Sequence, residues 1–450
     1  MTIQVSMVPD VAETKAQVKV DRQAYLQSLL HQRSAFPHLD GASSQIWLQV
    51  IRDRATEQVK EQSIPSTREE EWRFTDLTDL LQTQFVPAPS NSVKLADLAA
   101  WTLPEASDSR LVFVDGVFAP TLSAIADLPA GTIVSNLPAA LEQPLQNYLA
   151  KLPGAEAVFT ALNTACFTDA AIVTLPRNTT LSAPIHLLFV STTGDKAPAS
   201  HPRSLVVAES GSQLTLVEEF VTLGEGTHFT NAVTEVWLAE NAQVNHVRLQ
   251  RNSLAAFHMG KTAVSQARDS RYTCTAVSLG ATLSRHNLEV FQAGEQTETT
   301  LNGLTMIGAT QVADTHSTIA FTSPYGTSSQ THKCIVSDRA HAIFNGKILV
   351  PKAAQLTNAA QVSRNLLLSP KARVDTKPQL EITADNVKCA HGATVSQLED
   401  DEVFYLQSRG INQDSARKLL VYAFAAEVIG QITIPSLRKN LSAIAQIYQV

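Results

Sequence analysis

The residues best suited to chemistry lie near the C-terminal end, in the segment Lys388-Cys-Ala-His-Gly392. Side chains alternate along a β-strand, so a strand here would place Cys389 and His391 on one face, about 6.5–7 Å apart. A thiolate beside an imidazole suits iron, zinc or copper. A tetrahedral metal ion needs four ligands. A metal bound at this pair would therefore need further ligands from elsewhere in the fold or from a second chain.

The pair also has a purely structural interpretation, as a small buried thiol beside a hydrogen-bonded histidine. His332 and Cys334 have the same spacing, which weakens the metal interpretation. Cys166 and Cys274 lie in apolar or threonine-rich contexts and are predicted to be core thiols. Three further histidines are predicted to have local structural partners: His286, His316 and His341.

Complete enzyme motifs are missing from the sequence. Met259-Gly-Lys-Thr262 resembles the end of a phosphate-binding loop, but Ala255 occupies the position of its first glycine. Gly260 is therefore predicted to lie in a turn. The acidic run Glu399-Asp-Asp-Glu402 is predicted to be a solvated turn before a strand, although paired carboxylates could act as a general acid and base. The zinc-protease, serine-hydrolase and kinase signatures do not occur.

Composition excludes several functional classes. The chain has 450 residues, enough for two to four structural units. Its 35 Lys plus Arg and 42 Asp plus Glu give a net charge of −7. No global positive field is therefore expected to attract nucleic acid. The most apolar late stretch, 419–434, is interrupted by Glu427 and Gln431, so no membrane span is predicted. The four cysteines form no C-x-x-C pair, so reduced thiols are expected. Met1–Asp10 does not have the basic start and apolar stretch of a targeting segment, so a cytoplasmic protein is expected.

The N-terminal part has a helical pattern. From about Val20 to Gln84, apolar residues recur at spacings of three and four. Ser43 and Ser44 offer a start for a second helix. Ser66 and Glu69 have the spacing of a capping box, which predicts a third helix after Pro65.

From about Leu111 to Leu406 the pattern changes to short apolar runs, such as Ile185-His-Leu-Leu-Phe-Val190, between Gly, Asn, Asp, Ser and Pro. Runs this short and rich in Val, Ile, Leu and Thr predict strands. Small or polar turns recur at about 30-residue intervals, a period typical of solenoids. The pattern favours a parallel β-helix, with an antiparallel sandwich as the alternative.

The helical pattern returns after Leu406. Asp414 or Ser415 is predicted to cap one helix, and Pro435 to begin another. The predicted organisation is an N-terminal helical domain over 1–105, a β-helix core over 106–410 and a C-terminal helical domain over 411–450.

Three motifs carry a resemblance to a known family. Pro65-Ser-Thr-Arg-Glu-Glu-Glu-Trp-Arg-Phe-Thr-Asp-Leu77 and His201-Pro-Arg-Ser-Leu-Val-Val-Ala-Glu-Ser-Gly211 resemble the entry and the start of the core in the SufB/SufD family. Asp385-Asn-Val-Lys-Cys-Ala-His-Gly-Ala-Thr-Val395, followed by the segment 401–410, resembles the late core motif of that family. The Glu-Glu-Trp-Arg-Phe-Thr-Asp-Leu stretch is of the SufD type.

The resemblance implies a mainly β fold, a right-handed parallel β-helix core flanked by N-terminal and C-terminal α-helical domains. It implies a non-catalytic scaffold subunit for iron–sulfur cluster assembly that pairs with SufB and binds the ATPase SufC, with a homodimer as an option for the isolated chain. His391 would be a metal ligand at the SufB interface and hold a transient nascent Fe–S cluster shared with SufB, with Cys389 beside it. The nucleotide would belong to SufC.

The same resemblance places SufC on the helix from about Asp414 to Ile434. The residues expected to form that docking surface are Leu419, Leu420, Ala423, Phe424 and Val428. Their apolar stripe is also what a core-packing helix shows. Three other functions stay open at this point: a SufB-like paralogue of the same machinery, a carbohydrate-active β-helix enzyme, and a structural or adhesive solenoid without chemistry.

Overall fold

A computed structural model describes residues 20–33, 46–88 and 92–448. The predictions made for Met1–Asp10, Ser43 and Ser44 lie outside these residues. The described residues form seven α-helices: α1 (Arg22–Leu30), α2 (Ile46–Lys60), α3 (Thr78–Gln82), α4 (Val158–Cys166), α5 (Asp400–Ser408), α6 (Gln413–Ile429) and α7 (Pro435–Ile447). None of these helices is long and apolar enough to cross a membrane.

Strands dominate the part of the chain between α3 and α5. In chain order they are β1 (Phe85–Pro87), β2 (Ser109–Val114), β3 (Val117–Phe118), β4 (Ala124–Ile125), β5 (Ile133–Asn136), β6 (Ala171–Leu175), β7 (Ile185–Thr192), β8 (Ala197–Ser200), β9 (Arg203–Ala208), β10 (Gln213–Leu223), β11 (Phe229–Leu238), β12 (Gln243–Arg251), β13 (Phe257–Gln266), β14 (Arg271–Ser278), β15 (Leu283–Gln292), β16 (Glu298–Ile307), β17 (Val312–Phe321), β18 (Thr327–Val336), β19 (His341–Val350), β20 (Asn358–Leu367), β21 (Arg373–Ile382) and β22 (Lys388–Gln397).

These strands build a β-solenoid of about eight turns with two sheets. From β9 onward, odd-numbered strands join the first sheet and even-numbered strands the second, each pairing in parallel with the strand two ahead. In the second sheet, residues paired in adjacent turns lie 27 residues apart at Arg271–Glu298 and 31 apart at Thr327–Asn358. The predicted parallel solenoid with a period near 30 residues is confirmed, and the sandwich alternative is wrong.

The first turns are closed by aromatic packing. Phe113, Phe189 and Phe220 occupy the same interior row, with ring centroids 5.3 Å and 5.2 Å apart between neighbours. All three are buried, together with aliphatic residues from both sheets. Burial of this apolar surface stabilises the first turns of the solenoid.

One helix within the strand region was not predicted from the sequence. Residues 159–166 of α4 are all buried, between α2 and β11. Because α4 is buried on every side and carries Thr160, Asn163 and Thr164 among its apolar residues, it lacks the apolar and polar faces by which sequence analysis finds helices. Helix α4 is therefore an addition to the predicted all-strand region.

The predicted third helix is wrong for most of its length. Half of the expected capping box forms, because the Ser66 backbone N–H donates to Glu69 Oε1 at 2.8 Å. The chain then makes only a short 3₁₀ turn at Glu70–Trp72 before α3. Contacts with the solenoid replace the expected helix.

The segment around Trp72 packs on the outer face of the first sheet and is hydrogen-bonded to it. The Arg285 guanidinium lies 3.9 Å from the centre of the Trp72 ring and donates a hydrogen bond to the Glu71 carbonyl at 2.8 Å. His316 bridges the Glu71 carboxylate and Asp314, with both contacts at 3.0 Å. Burial alone would lower the pKa of His316, but Asp314 and Glu71 outweigh burial and raise it.

Two predictions near the C-terminal end need correction. The acidic run from Glu399 begins a helix and not a strand: Asp400, Asp401 and Glu402 form the first turn of α5, where carboxylates complement the positive end of the helix dipole. The cap of α6 is Asn412, whose side chain accepts from the Ser415 N–H at 2.9 Å. Helical structure therefore begins before Leu406.

Gly260 lies within β13 and not in a turn, so that prediction is also wrong. A Cβ atom at this position would collide with the Arg248 guanidinium, which crosses the solenoid interior to hydrogen-bond with His258 at 2.7 Å. The adjacent Lys261 points outward and forms an ion pair with Glu289 at 2.8 Å. The segment thus has no phosphate-loop geometry.

We expect Gly260→Ala to lower the free energy of unfolding by about 1–3 kcal/mol, because the added methyl group overpacks a buried site. Gly194→Ala is the matched control, since nothing lies within 4 Å of a Cβ there. Chemical denaturation of both variants measures the effect. Equal stability of the two variants would contradict the packing role of Gly260.

The His316 contacts predict a pH-dependent contribution to stability. Because the pKa of His316 is raised in the folded state, its contribution is complete below the unfolded value of about 6.5 and is lost as pH rises through the folded value. His316→Gln should therefore cost more stability at pH 5.5 than at pH 9. Thermal unfolding of both proteins at the two pH values tests this, and a cost independent of pH would refute it.

Candidate functional site

Cys389 and His391 lie on β22, the last strand of the second sheet. They are paired in register with Ala359 and Gln361 of β20. Ala359 and Gln361 face the interior of the solenoid and are each 1% exposed. Because Cys389 and His391 continue those two positions by one turn, they occupy the inward-facing side of the final turn.

This final turn is open. His391 is exposed and Cys389 is half-buried against the core, whereas the equivalent positions in the preceding turn are fully covered. Strand β21, which ends the first sheet, is likewise covered only in part. The described residues place no further strand beyond β21 or β22, so their outer backbone edges are unpaired.

The other histidine–cysteine pair with the same spacing has a different environment. His332 and Cys334 lie in β18, are 4% and 0% exposed, and His332 stacks on Phe344 with ring centroids 4.3 Å apart. Burial lowers the pKa of His332 to about 3 and raises that of Cys334 to about 12. A neutral imidazole and a protonated thiol, both shielded from solvent, are structural groups.

The remaining thiols and histidines follow the prediction. Cys166 and Cys274 are buried, and burial raises the pKa of each thiol to about 12. His286 contacts the Thr262 hydroxyl at 3.0 Å, and His341 contacts Asp375 at 2.6 Å. Together with the His316 contacts described above, these confirm local structural partners for the three histidines.

Cys389 is chemically the most accessible of the four thiols. Partial burial raises the pKa of its thiol, offset in part by a backbone hydrogen bond from Ala359. The thiol is therefore largely protonated at neutral pH, and a bound metal or a nearby cation would be needed to favour the thiolate. Within 20–33, 46–88 and 92–448, no group of three His, Cys, Asp or Glu side chains could hold a metal ion.

Polar side chains occupy equivalent inward-facing positions in the turns that precede His391. Gln330, Gln361 and His391 occupy the same row in three successive turns. The Gln361 amide donates to Gln330 Oε1 at 2.8 Å, while Gln361 Oε1 is buried without a partner among the described residues. The interior next to the open turn therefore contains an unused hydrogen-bond acceptor, which the sequence alone did not indicate.

The residues predicted for partner docking on α6 differ in exposure. Leu419 is 44% exposed and Ala423 is exposed, while Leu420 and Phe424 are half-buried. Val428 is buried among α7 residues and the outer face of the second sheet. In this structure Val428 fixes the helix to the solenoid and is not available to a partner.

Sequence reasoning missed two exposed aromatic residues on α5. Phe404 is 70% exposed and Tyr405 is 58% exposed. Both residues lie in the region up to Leu406 that was predicted to consist of strands. Aromatic residues on a helix normally face the core, so no signal in the sequence indicated their exposure.

Comparisons with known proteins agree with this architecture. Residues 22–187 match the SufBD protein N-terminal region, and residues 189–424 match the SUF system FeS cluster assembly SufBD core domain. An iron–sulfur cluster assembly SufBD family protein of Synechocystis is 49% identical over 84% of this chain and 86% of its own length. Protein ABCI7, chloroplastic, of Arabidopsis thaliana is 37% identical over 86% of this chain and 83% of its own.

The iron–sulfur cluster assembly protein SufD of Escherichia coli is 33% identical over 86% of this chain and 90% of its own length. The matched regions span the N-terminal helices, the solenoid and most of α6. From these matches and the solenoid fold, the chain belongs to the SufBD family of the SUF iron–sulfur cluster assembly system.

Proposed function

We propose that the chain is a non-catalytic scaffold subunit that pairs with SufB, binds the ATPase SufC and helps to hold a nascent iron–sulfur cluster at the SufB interface. The observation that carries this proposal is the open final turn of the solenoid, where an inward-facing row ends in the exposed His391. The relative from E. coli is named SufD, which favours the SufD type over a SufB-like paralogue. A cytoplasmic location stays a prediction.

The exposed edges of β21 and β22 support a protein partner at this end. An uncovered edge strand leaves N–H and C=O groups free to pair with another chain, which proteins normally avoid. A second solenoid placed end to end would satisfy these groups and cover the half-buried residues of the last turn. SufB, as a family relative with a shared fold, is the partner that we propose.

The chemistry of His391 and Cys389 fits a shared cluster. The two residues supply at most one imidazole and one thiolate, fewer ligands than a stable metal centre requires. The missing ligands would come from SufB, and the assembled cluster would be the cargo of the complex and not a resident cofactor. A site with few ligands from each chain can also release its cluster.

The C-terminal helices support binding of a second partner. Leu419 and Ala423 on α6 lie on the same helix face four residues apart, and Phe404 and Tyr405 are exposed on α5, which packs against α6. Exposed apolar patches of this kind are typical of protein interfaces. We assign this surface to SufC. Leu420 and Phe424 lie at its edge, and Val428 packs α6 against α7 and the second sheet.

His391→Ala should abolish or strongly reduce the iron and sulfide content of the complex co-purified with SufB and SufC, because a ligand is lost. Its thermal stability should stay within about 0.5 kcal/mol of the parent, since the side chain is exposed. Lys388→Ala, the exposed neighbour on the opposite face of β22, is the matched control. Normal iron and sulfide content in His391→Ala would exclude the proposed ligand role.

Leu419→Glu should weaken SufC binding by at least about tenfold, because a charge is placed at the centre of an apolar contact. Leu254→Glu, at a leucine that is 60% exposed on the solenoid, is the control and should bind SufC normally. Titration of SufC against each variant measures the affinity. Parental affinity in Leu419→Glu would move the SufC site away from α6.

A further inference from the structure

A cleft of about 680 Å³ lies on the outer face of the first sheet and receives no residue from β22. Its floor is formed by β11, β13, β15, β17 and β19, and its walls by residues 61–72 and the first turn of α4. The volume lies within the range of about 300–1,000 Å³ of ligand-binding pockets. Its lining also includes no residue of β21, α5 or α6, so the cleft is separate from the surfaces assigned to the proposed partners.

The shape of the cleft favours an elongated ligand. Its floor crosses five adjacent strands, and four spacings of about 4.8 Å give a length of about 19 Å. An extended peptide advances about 3.3 Å per residue, so about six residues would span the floor. The ligand would lie along the solenoid axis, across the strands, and would contact side chains and not the sheet backbone.

Two of the carboxylates that line the cleft lack a basic partner among the described residues. These are Glu61 and Glu69, which both belong to the wall. Glu69 accepts only from the Ser66 N–H. In contrast, the lysines and the arginine on the floor are each matched by an acid: Lys261 with Glu289 at 2.8 Å, Arg285 with Asp314, and Lys347 with Glu381 at 2.6 Å.

Two amide side chains in the cleft have unused hydrogen-bonding groups. Asn345 lies on the floor and is 9% exposed, and its Oδ1 is buried without a partner in the described part of the chain. Gln62 on the wall donates to the Glu156 carbonyl at 2.7 Å, which leaves its Oε1 unpartnered. A primary amide can pair with both the N–H and the C=O of an extended backbone.

Apolar groups complete the cleft at one end. Trp72 and Phe159 have ring centroids 5.6 Å apart, and Met259 lies beside them on the floor. These three side chains can cover an aliphatic side chain of a ligand, while Glu61 and Glu69 can pair with a cation. Backbone-type hydrogen bonding, an apolar contact and a cationic contact are the combination that a peptide offers.

We infer that this cleft binds an extended segment of about six residues from a partner protein, carrying lysine or arginine and at least one aliphatic side chain. Charge complementarity with Glu61 and Glu69 selects for the cation, and Asn345 binds the peptide backbone. The inference does not rest on the role proposed for His391. The cleft would recruit a protein to the flank of the solenoid and leave both its open end and α6 free.

The test uses the full-length chain and two labelled hexapeptides, one alternating lysine with leucine and one alternating glutamate with leucine. Fluorescence anisotropy should show binding of the lysine peptide only, weakened by added salt. The double variant Glu61→Gln/Glu69→Gln should weaken binding by about threefold to tenfold through loss of two exposed charge contacts. It retains the oxygen acceptor at 69, so folding should be preserved.

The double variant Asp195→Asn/Glu225→Gln removes two exposed carboxylates outside the cleft and should bind the lysine peptide normally. Asn345→Leu should also weaken binding, independently of salt. Equal binding of both peptides, or equal binding by the two double variants, would overturn the inference. Binding of spermine with no binding of the lysine peptide would assign the cleft to a small polyamine and also overturn it.

Discussion

The structure depends on one constraint: a strand in a parallel solenoid must find hydrogen-bonding partners in the turn before it and the turn after it. At the N-terminal end, short antiparallel strands supply the missing hydrogen-bonding partners. Strand β2 pairs in antiparallel fashion with β3 and β4, and β5 does the same with β6. At the other end β21 and β22 finish their sheets without such a cover in the described residues. The N-terminal end of the solenoid is therefore covered by its own strands, whereas the strand edges at the C-terminal end stay exposed.

The interior changes along the same axis. The first turns hold stacked phenylalanines, and from β10 onward, where Glu218 shares a strand with Phe220, buried charges are matched inside the solenoid. Burial would raise the pKa of Glu218, but His246 and Arg248 outweigh burial and lower it, so the carboxylate stays charged. The last turns contain the amides of Gln330 and Gln361. His391 therefore continues a polar row, and an imidazole at the open end interrupts no apolar core.

The sequence was sufficient to predict the solenoid, because its period and short apolar runs are local properties. It was insufficient where distant residues decide the local structure. Trp72 is held by Arg285, more than 200 positions away, and no helical periodicity could reveal that contact. Likewise, the pair at 389 and 391 and the pair at 332 and 334 have equal spacing. Only the position of their strands, at the end or inside the solenoid, separates a surface pair from a buried one.

Ion pairs join α6 to the strands that precede the open final turn. Glu427 on α6 forms ion pairs with Lys333 of β18 at 2.5 Å and with Arg364 of β20 at 3.3 Å. Strand β20 is the hydrogen-bonded neighbour of β22, and the chain leaves β22 directly into α5. A partner that displaces α6 must therefore strain contacts on the strands adjoining His391. Because β18, β20 and β22 belong to one hydrogen-bonded sheet, α6 and the open turn are joined by a continuous set of contacts.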